Sequence, residues 1–504
     1  MSAVTDETTI SAAAPTGHPA GLRTLFFTEM WERMSYYGMR ALLVLFMVDQ
    51  VERGGLGFTD ENATAIYGLY SAAVYLVALP GGWIGDRLLG AQKSIWFGGI
   101  IIMFGHFVLA IPSLYSFFIG LVLIVVGTGL LKPNISAAVG ELYGPGDPRR
   151  DAGFTIYYMG INIGAAIGPL VCSTLGESDT FGWHYGFAAA GVGMLAGLIQ
   201  FRMASHRLGK AGLEPSLDHN DPTDREKMRK AWRFVAVAIG LVVVGLVLLM
   251  TETVTVNPQR LAENTAVVIA TVAGLYFAFL FGFGHLTTAE KKRVVVIIVL
   301  FFASAMFWSG FEQAGSSLNL FAERYTDRMV GTFEIPAGWF QSLNPAFIII
   351  LAPVYSAMWV HLARRNLDPS TPAKFAIGIL LLAVGFLIMY GASLLVLQGN
   401  EAMPTWLFFT YLLHTMGELA LSPVGLSATT KLAPRRFVGQ MMGVWFLGAS
   451  LGNILAGLLA GEFSGDTVGD FPDLYLQIVL TLSGFALLLL AFSRPIRKLM
   501  GDID

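Results

Sequence analysis

Charge is the scarcest property of this 504-residue chain: only 13% of it is Asp, Glu, Lys or Arg, about half the share of an ordinary soluble protein. With 55% hydrophobic residues, that scarcity excludes a soluble globular chain and reads as a polytopic membrane protein. The formal net charge of -3 gives no argument for nucleic-acid binding. A single cysteine, Cys172, excludes an intramolecular disulfide and, lying in an apolar run, reads as a packing residue. No Gly-x-x-x-x-Gly-Lys loop is present, which argues against ATP hydrolysis. No His-Glu-x-x-His or paired-aspartate pattern appears in the spans either, so an intramembrane hydrolase is a remote alternative and the chain is not expected to be an enzyme. The first residues lack the apolar stretch of a cleaved signal, so residues 1–22 read as a disordered cytosolic tail.

What the chain has in abundance is long apolar runs. Stretches able to cross about 30 Å of hydrocarbon occur at 24–48, 64–85, 94–111, 114–138, 152–175, 184–202, 232–250, 265–285, 294–319, 338–361, 373–397, 404–430, 437–461 and 472–493. The fold class is therefore all-α, with about 14 transmembrane helices. Arg87, Lys93, Arg149, Arg150, Arg202 to Lys210, Lys291 to Arg293, Arg364, Arg365, Lys431 to Arg436 and Arg494 to Lys498 all fall on one side of the alternating spans. By the positive-inside rule both termini are expected in the cytosol. The polar run after the sixth span divides the chain into an N-terminal six-helix bundle at 23–202, a cytosolic linker at 203–231, an inserted hairpin at 232–290 and a C-terminal six-helix bundle at 291–504.

Against this apolar background, Glu29-Met-Trp-Glu32-Arg33-Met-Ser-Tyr36-Tyr37-Gly38-Met-Arg40 stands out. At about 100° per residue, Glu29, Glu32, Arg33, Tyr36 and Arg40 fall within one arc roughly 100° wide, with Tyr37 at its margin. An ionisable side chain at the bilayer centre costs from about 3 to more than 10 kcal/mol, so such a face meets a partner or a watery cavity and marks a solute path. Other intramembrane polar residues follow the same reasoning. Lys132 lies in Gly129-Leu-Leu-Lys132-Pro133-Asn134, Glu312 in Trp308-Ser-Gly-Phe-Glu312-Gln313, and Glu418 in Gly417-Glu418-Leu-Ala-Leu-Ser422-Pro423. Asn344-Pro345 is expected to break the tenth span. Lys132 is weighed against snorkelling to the headgroups, and each acid against a buried structural role. His106 and His414 are expected to be hydrogen-bonded packing residues. Gly191, Gly193 and Gly197 have helix-packing spacing.

At the turn between the second and third spans, Gly82-Trp-Ile-Gly85-Asp86-Arg87 matches the loop motif of the major facilitator superfamily. Its glycines are expected to permit close helix approach, and Asp86 and Arg87 to latch to neighbouring helix ends. The Glu29-to-Arg40 segment, together with Phe154-Thr-Ile-Tyr157-Tyr158-Met-Gly160-Ile-Asn162-Ile-Gly164, closely resembles the proton-dependent oligopeptide transporter family. That family's first motif reads Glu-x-x-Glu-Arg-Phe-x-Tyr-Tyr-Gly, with Met34 here in place of the phenylalanine. The resemblance covers the whole chain and implies a major facilitator fold: two six-helix bundles plus the inserted hairpin of bacterial members, rocking around a midplane site.

It also implies a proton-coupled symporter of di- and tripeptides in the cytoplasmic (inner) membrane, self-sufficient as a monomer, with no cofactor beyond the coupling proton and no metal. A short peptide is a zwitterion, and the resemblance assigns its poles. Asn344 and Glu418 would hold the amino end, Arg40 and Lys132 the carboxylate. Tyr37, Tyr75, Asn162, Glu312 and Ser422 would complete the site, with Trp308 and Trp445 as pocket walls. Glu29, Glu32, Arg33, Lys132 and Glu312 would couple the proton, Lys132 exchanging partners near the Glu29 cluster. Animal members use a histidine in the second helix, and residues 61 to 85 contain none, so coupling is expected to rest on carboxylates. A relative carrying nitrate or another small solute is the alternative, disfavoured because Glu312 and Glu418 would repel an anion.

Overall fold

The computed structural model describes residues 17–144, 146–218, 220–462 and 469–501. Its elements are nearly all helical. The first group comprises α1 (Ala20–Val48), α2 (Asp60–Ile84), α3 (Ala91–Leu109), α4 (Leu114–Glu141), α5 (Arg150–Gly176) and α6 (Trp183–Ala204). The hairpin helices α7 (Pro222–Met250) and α8 (Pro258–Phe283) follow. The second group comprises α9 (Thr288–Phe311), α10 (Ser317–Tyr325), α11 (Leu343–Arg364), α12 (Thr371–Leu397), α13 (Pro404–Leu432), α14 (Val438–Glu462), α15 (Asp470–Ala491) and the short α16 (Ser493–Met500). The strands β1 (Met329–Val330) and β2 (Phe333–Glu334) form a small antiparallel hairpin before α11.

Twelve helical segments among the described residues are long and apolar enough to cross a membrane. The 29-residue helices α1 and α13 have the length to do so as well, which gives the fourteen expected. Helix starts follow local chemistry. The Thr59 hydroxyl caps α2, Asn257 caps α8 ahead of Pro258, and Thr287 with Glu290 forms a reciprocal capping box on α9. Asp221 and Pro222 start α7 well before its apolar stretch, so residues 222–231, polar linker in sequence, are helical. At the other extreme, the expected tail at 1–22 is too long. Helix α1 begins at Ala20 because Leu22 is buried and Gly21 packs against Leu142 and Leu208. Residues 1–16 lie outside the described part.

Helix α1 packs along α5 and α6, and α4 lies against α2 and α3. In the second group, α12 packs on α13 and α15, and α9 on α14. Helices α2 with α14, and α5 with α11, join the two groups. Glycine makes the closest of these approaches possible. A Cβ on Gly164 would sit 2.1 Å from the Met30 carbonyl oxygen across the α1–α5 seam. At the α2–α14 seam, Gly457 faces Gly68 and the Thr64 carbonyl, with no intervening side chain. Helix α8 lies on α14 and α2, whereas none of the most apolar stretch of α7 is buried.

This packing yields a stability test. Gly164→Ala must push two backbones apart and is expected to destabilise the protein by about 1–3 kcal/mol, seen as a lower melting temperature in detergent. Gly240→Ala on α7 meets open space and serves as the control. Equal melting temperatures for the two variants would refute the close-approach account of the α1–α5 seam.

Candidate functional site

The charged arc of α1 is fully interior: Glu29, Glu32 and Arg33 are 1%, 0% and 3% exposed. The Arg33 Nε lies 3.1 Å from Glu29 Oε1 and closer still to Glu32 Oε2, so one guanidinium serves two carboxylates. One oxygen of each glutamate and the Arg33 Nη2 have no hydrogen-bond partner among the described residues. Lys132 of α4 is half-buried and points inward. Its ammonium sits 4.7 Å from the centre of the Tyr75 ring, a cation–π contact. Among the described residues it makes no ion pair, although Glu29, Glu32 and Glu312 lie within its electrostatic reach. Snorkelling is thereby excluded, and direct pairing with the Glu29 cluster is absent in this conformation.

Two turns along α1, Arg40 reaches across to the second group of helices. Its Nη2 lies 3.0 Å from Glu312 Oε2, and its Nε donates to the Tyr67 hydroxyl at 2.8 Å. Tyr67 in turn donates to Glu312 Oε2 at 2.9 Å, closing a buried three-membered network. The local backbone explains the position of the acid. The span of α9 and α10 is interrupted by a 3-10 turn at Glu312–Gly315, where an unbroken helix was expected. Gly315 leaves the space that the Tyr67 hydroxyl fills, 2.1 Å from where a Cβ would stand. The Tyr37 ring lies 5.5 Å from the Arg40 guanidinium.

Glu418 and Asn344 form a second centre. Asn344 Nδ2 donates to Glu418 Oε2 at 2.9 Å and to the Thr415 hydroxyl at 3.0 Å. Asn344-Pro345 lies where the tenth span changes from a 3-10 segment at Ala337–Ser342 to α-helix: it occupies the first turn of α11, where the missing proline N–H needs no helical partner. The Ser422 hydroxyl, one turn beyond Glu418, and the Trp308 Nε1 are buried without protein partners among the described residues. Asn162 is buried and donates to its own helix at the Tyr158 carbonyl, 2.9 Å away. Trp445 lies edge-on to Phe375 and over Gly425, in the packing between α12, α13 and α14.

Other expectations fare differently. Gly85 abuts the Asn134 side chain and Gly82 faces Pro133, so the loop motif does bring α2 and α4 together. Its Asp86 and Arg87 side chains are exposed and make no ion pair among the described residues, so the expected latch is absent. The Asp86 backbone carbonyl instead accepts from the Ser216 N–H at 2.7 Å. His106 is buried with neither ring nitrogen bonded, not the hydrogen-bonded residue expected, because only apolar burial surrounds it. His414 packs on Phe386 and hydrogen-bonds the Leu382 backbone, as expected of a packing residue, with its Nε2 unpartnered.

Sequence reasoning missed three contacts that join the groups at the end opposite the cation clusters. Asp60 accepts a bidentate pair from Arg324 at 2.6 and 2.8 Å. Asn319 Nδ2 donates to the Ala41 carbonyl at 2.8 Å. Glu177, just beyond α5, accepts from the Ala337 and Gly338 N–H groups at 2.5 and 3.0 Å, with Arg328 at 3.9 Å. Tyr67 was missed too, since one tyrosine among several in α2 carries no mark of its partner. A signal existed for Asp60 and Arg324: each is a charge placed within a helical turn or two of a span end.

The sequence profile of the POT family matches residues 92–471. The chain is 45% identical over 494 residues to "Peptide transporter YePEPT" of Yersinia enterocolitica, covering 96% of each chain. It is 37% identical to the "Di-/tripeptide transporter" of Lactococcus lactis subsp. cremoris, covering 97% of each. Among solved structures, a peptide transporter POT in complex with sulfate superimposes with a TM-score of 0.87 at 41% identity, covering 97% of each chain. A POT family transporter in complex with 5-aminolevulinic acid gives 0.85 at 33% identity, covering 96% of this chain and 98% of that one. A family profile over most of the chain, relatives matched end to end and a shared helical architecture make this multi-pass membrane protein a transporter of the POT family, within the major facilitator fold.

Proposed function

We propose that this chain is a proton-coupled symporter that imports di- and tripeptides across the cytoplasmic membrane by alternating access between two six-helix lobes. The cation-rich end, with both termini, faces the cytosol, and the functional unit is a monomer. One observation carries the reading: a buried inter-lobe pair, Arg40–Glu312, stands beside an uncommitted cation, Lys132, and a separate acid–amide pair, Glu418–Asn344. These are the poles that a peptide zwitterion requires. Glu418 and Asn344 take the ammonium, Arg40 and Lys132 the carboxylate, and Tyr37, Tyr75, Asn162 and Ser422 the main chain. Trp308 and Trp445 wall side-chain pockets.

Coupling follows from competition for salt partners. A peptide carboxylate at Arg40 and Lys132 draws them from Glu312, Glu29 and Glu32, and a carboxylate that loses its cation in an apolar setting gains proton affinity. Protonation then neutralises the cluster so that it can cross the dry barrier. With roughly 100 mV and one pH unit, one proton supplies about 2.3 plus 1.4 kcal/mol, enough for a few hundredfold accumulation. The test is acid-outside, voltage-driven uptake of labelled dialanine into proteoliposomes, with free alanine and a tetrapeptide as competitors. Uptake that ignores the proton gradient, or that nitrate competes with better than a second dipeptide, would overturn the reading.

The contacts at Asp60, Asn319 and Glu177 act as the outer seal of an inward-open state. Burial pushes the Glu177 carboxyl up to about 7, against the opposing pull of its two backbone N–H bonds and Arg328. Opening returns it to solvent and to an ordinary carboxylate range near 4.3. The closed seal therefore binds the proton more tightly: its contribution is complete below about pH 4 and is lost as pH rises through 7. Arg328 and Glu323 also act on this group, and Glu334, Asp49 and Arg324 act on that pair, so together they set the baseline. Spin labels at Asp179 and Val330 are expected to report an open fraction rising on the order of tenfold between external pH 5 and 8. In Glu177→Gln that dependence is expected to flatten; a variant titrating like the parent would clear Glu177 of the role.

A further inference from the structure

We propose that a cavity in the second group of helices, at the cation-rich end, binds the phosphate of an anionic membrane lipid. The cavity measures about 620 Å³ and lies where the α11–α12 turn, the last turns of α13 and α16 converge. That is more space than a lone oxyanion fills, and within the range of about 300–1,000 Å³ typical of small-molecule sites. Lys374, Lys431 and Arg497 line it, against one acid, Asp368. Some cations elsewhere at this end are matched one to one by an acid, as in Arg149–Asp147, Lys227–Asp224 and Lys230–Glu226. Here the balance stays positive. Lys374 bonds Asp368 at 2.8 Å and lies 4.6 Å from the Trp359 ring centre, which holds it at the cavity wall. Lys431 is exposed and has no ion pair among the described residues.

The surroundings favour a lipid over a soluble anion. Helix α16 is amphipathic: Ile496 and Met500 are buried while Arg494, Arg497 and Lys498 are exposed, the pattern of a helix lying at a headgroup layer. Pro369, Pro423, Val424 and Ala428 give the cavity an apolar side, and Asn366 and Ser427 a hydrogen-bonding one. A phosphodiester between two lysines and an arginine, with its glycerol hydroxyls on the amide and serine, matches the chemistry of this lining. Because Lys431 is on the helix that carries Glu418, and Arg497 on the last helix, an occupied cavity ties together the ends of α13 and α16.

Native mass spectrometry of the full chain in detergent tests this, with phosphatidylglycerol and phosphatidylcholine as equimolar probes. The parent is expected to retain phosphatidylglycerol about tenfold better. Lys431→Gln with Arg497→Gln should bring the two lipids to parity, and Lys431→Arg alone should not. Asp368→Asn should raise phosphatidylglycerol retention, a gain that misfolding cannot mimic. Equal retention by parent and double variant, or a loss in Asp368→Asn, overturns the site. If inorganic phosphate raises the melting temperature of the parent but not of the double variant, and phosphatidylglycerol binds no better than phosphatidylcholine, the lipid assignment falls in favour of a soluble phosphate.

Discussion

Lys132→Gln is expected to abolish uphill accumulation of labelled dialanine, from a few hundredfold to none, while peptide exchange between filled vesicles continues. The reason lies in what the ammonium is doing: it rests on the Tyr75 ring without an ion pair, in reach of Glu29, Glu32 and Glu312. It is the one cation of the cluster free to change partner without first breaking a salt bridge, since Arg33 is held by two glutamates and Arg40 by Glu312. Glutamine keeps the size and some hydrogen bonding but removes the charge, so the proton affinity of the acids no longer responds to the peptide. Exchange needs only binding and rocking, and with Arg40 still in place to hold the peptide carboxylate it survives at saturating peptide. Undiminished accumulation in the variant would end the coupling assignment.

A second large effect is expected at the opposite pole. Glu418→Gln leaves Asn344 and Thr415 with an amide in place of a carboxylate, and a peptide ammonium then loses its counter-charge in a buried site. Removing one partner of such a pair costs about 2–5 kcal/mol, or at least thirtyfold in affinity for free-amine dipeptides. N-acetylated dipeptides bring no ammonium and should lose little. Binding titrations with both ligand classes make the comparison, and equal losses would place the amine elsewhere.

The span count, the charged arc and the polar residues of α4, α11 and α13 are legible because each is a local violation of an apolar pattern. A carboxylate surrounded by leucine and phenylalanine announces itself. What the sequence conceals is pairing. Nothing near Arg40 says that its partner is Glu312 and not Glu29, because that choice depends on a 3-10 turn created by packing around Gly315. The partners of Tyr67, Asp60 and Glu177 are concealed for the same reason, since each contact joins residues from different halves of the chain, even where the charges of Asp60 and Arg324 near span ends mark the residues themselves. The Asp86–Arg87 latch failed in the opposite way, since a familiar motif fixed the helix approach but not where its charges point in this conformation.

The Gly68–Gly457 contact between α2 and α14 has a mechanical corollary. Helices normally grip one another by interleaving rows of side chains, and sliding past such rows means lifting each tooth out of its notch. Two glycine backbones have no teeth. At that crossing the lobes therefore meet on a smooth bearing point, and resistance to their rotation comes from contacts elsewhere, among them the Arg40–Glu312 clasp that cargo can undo.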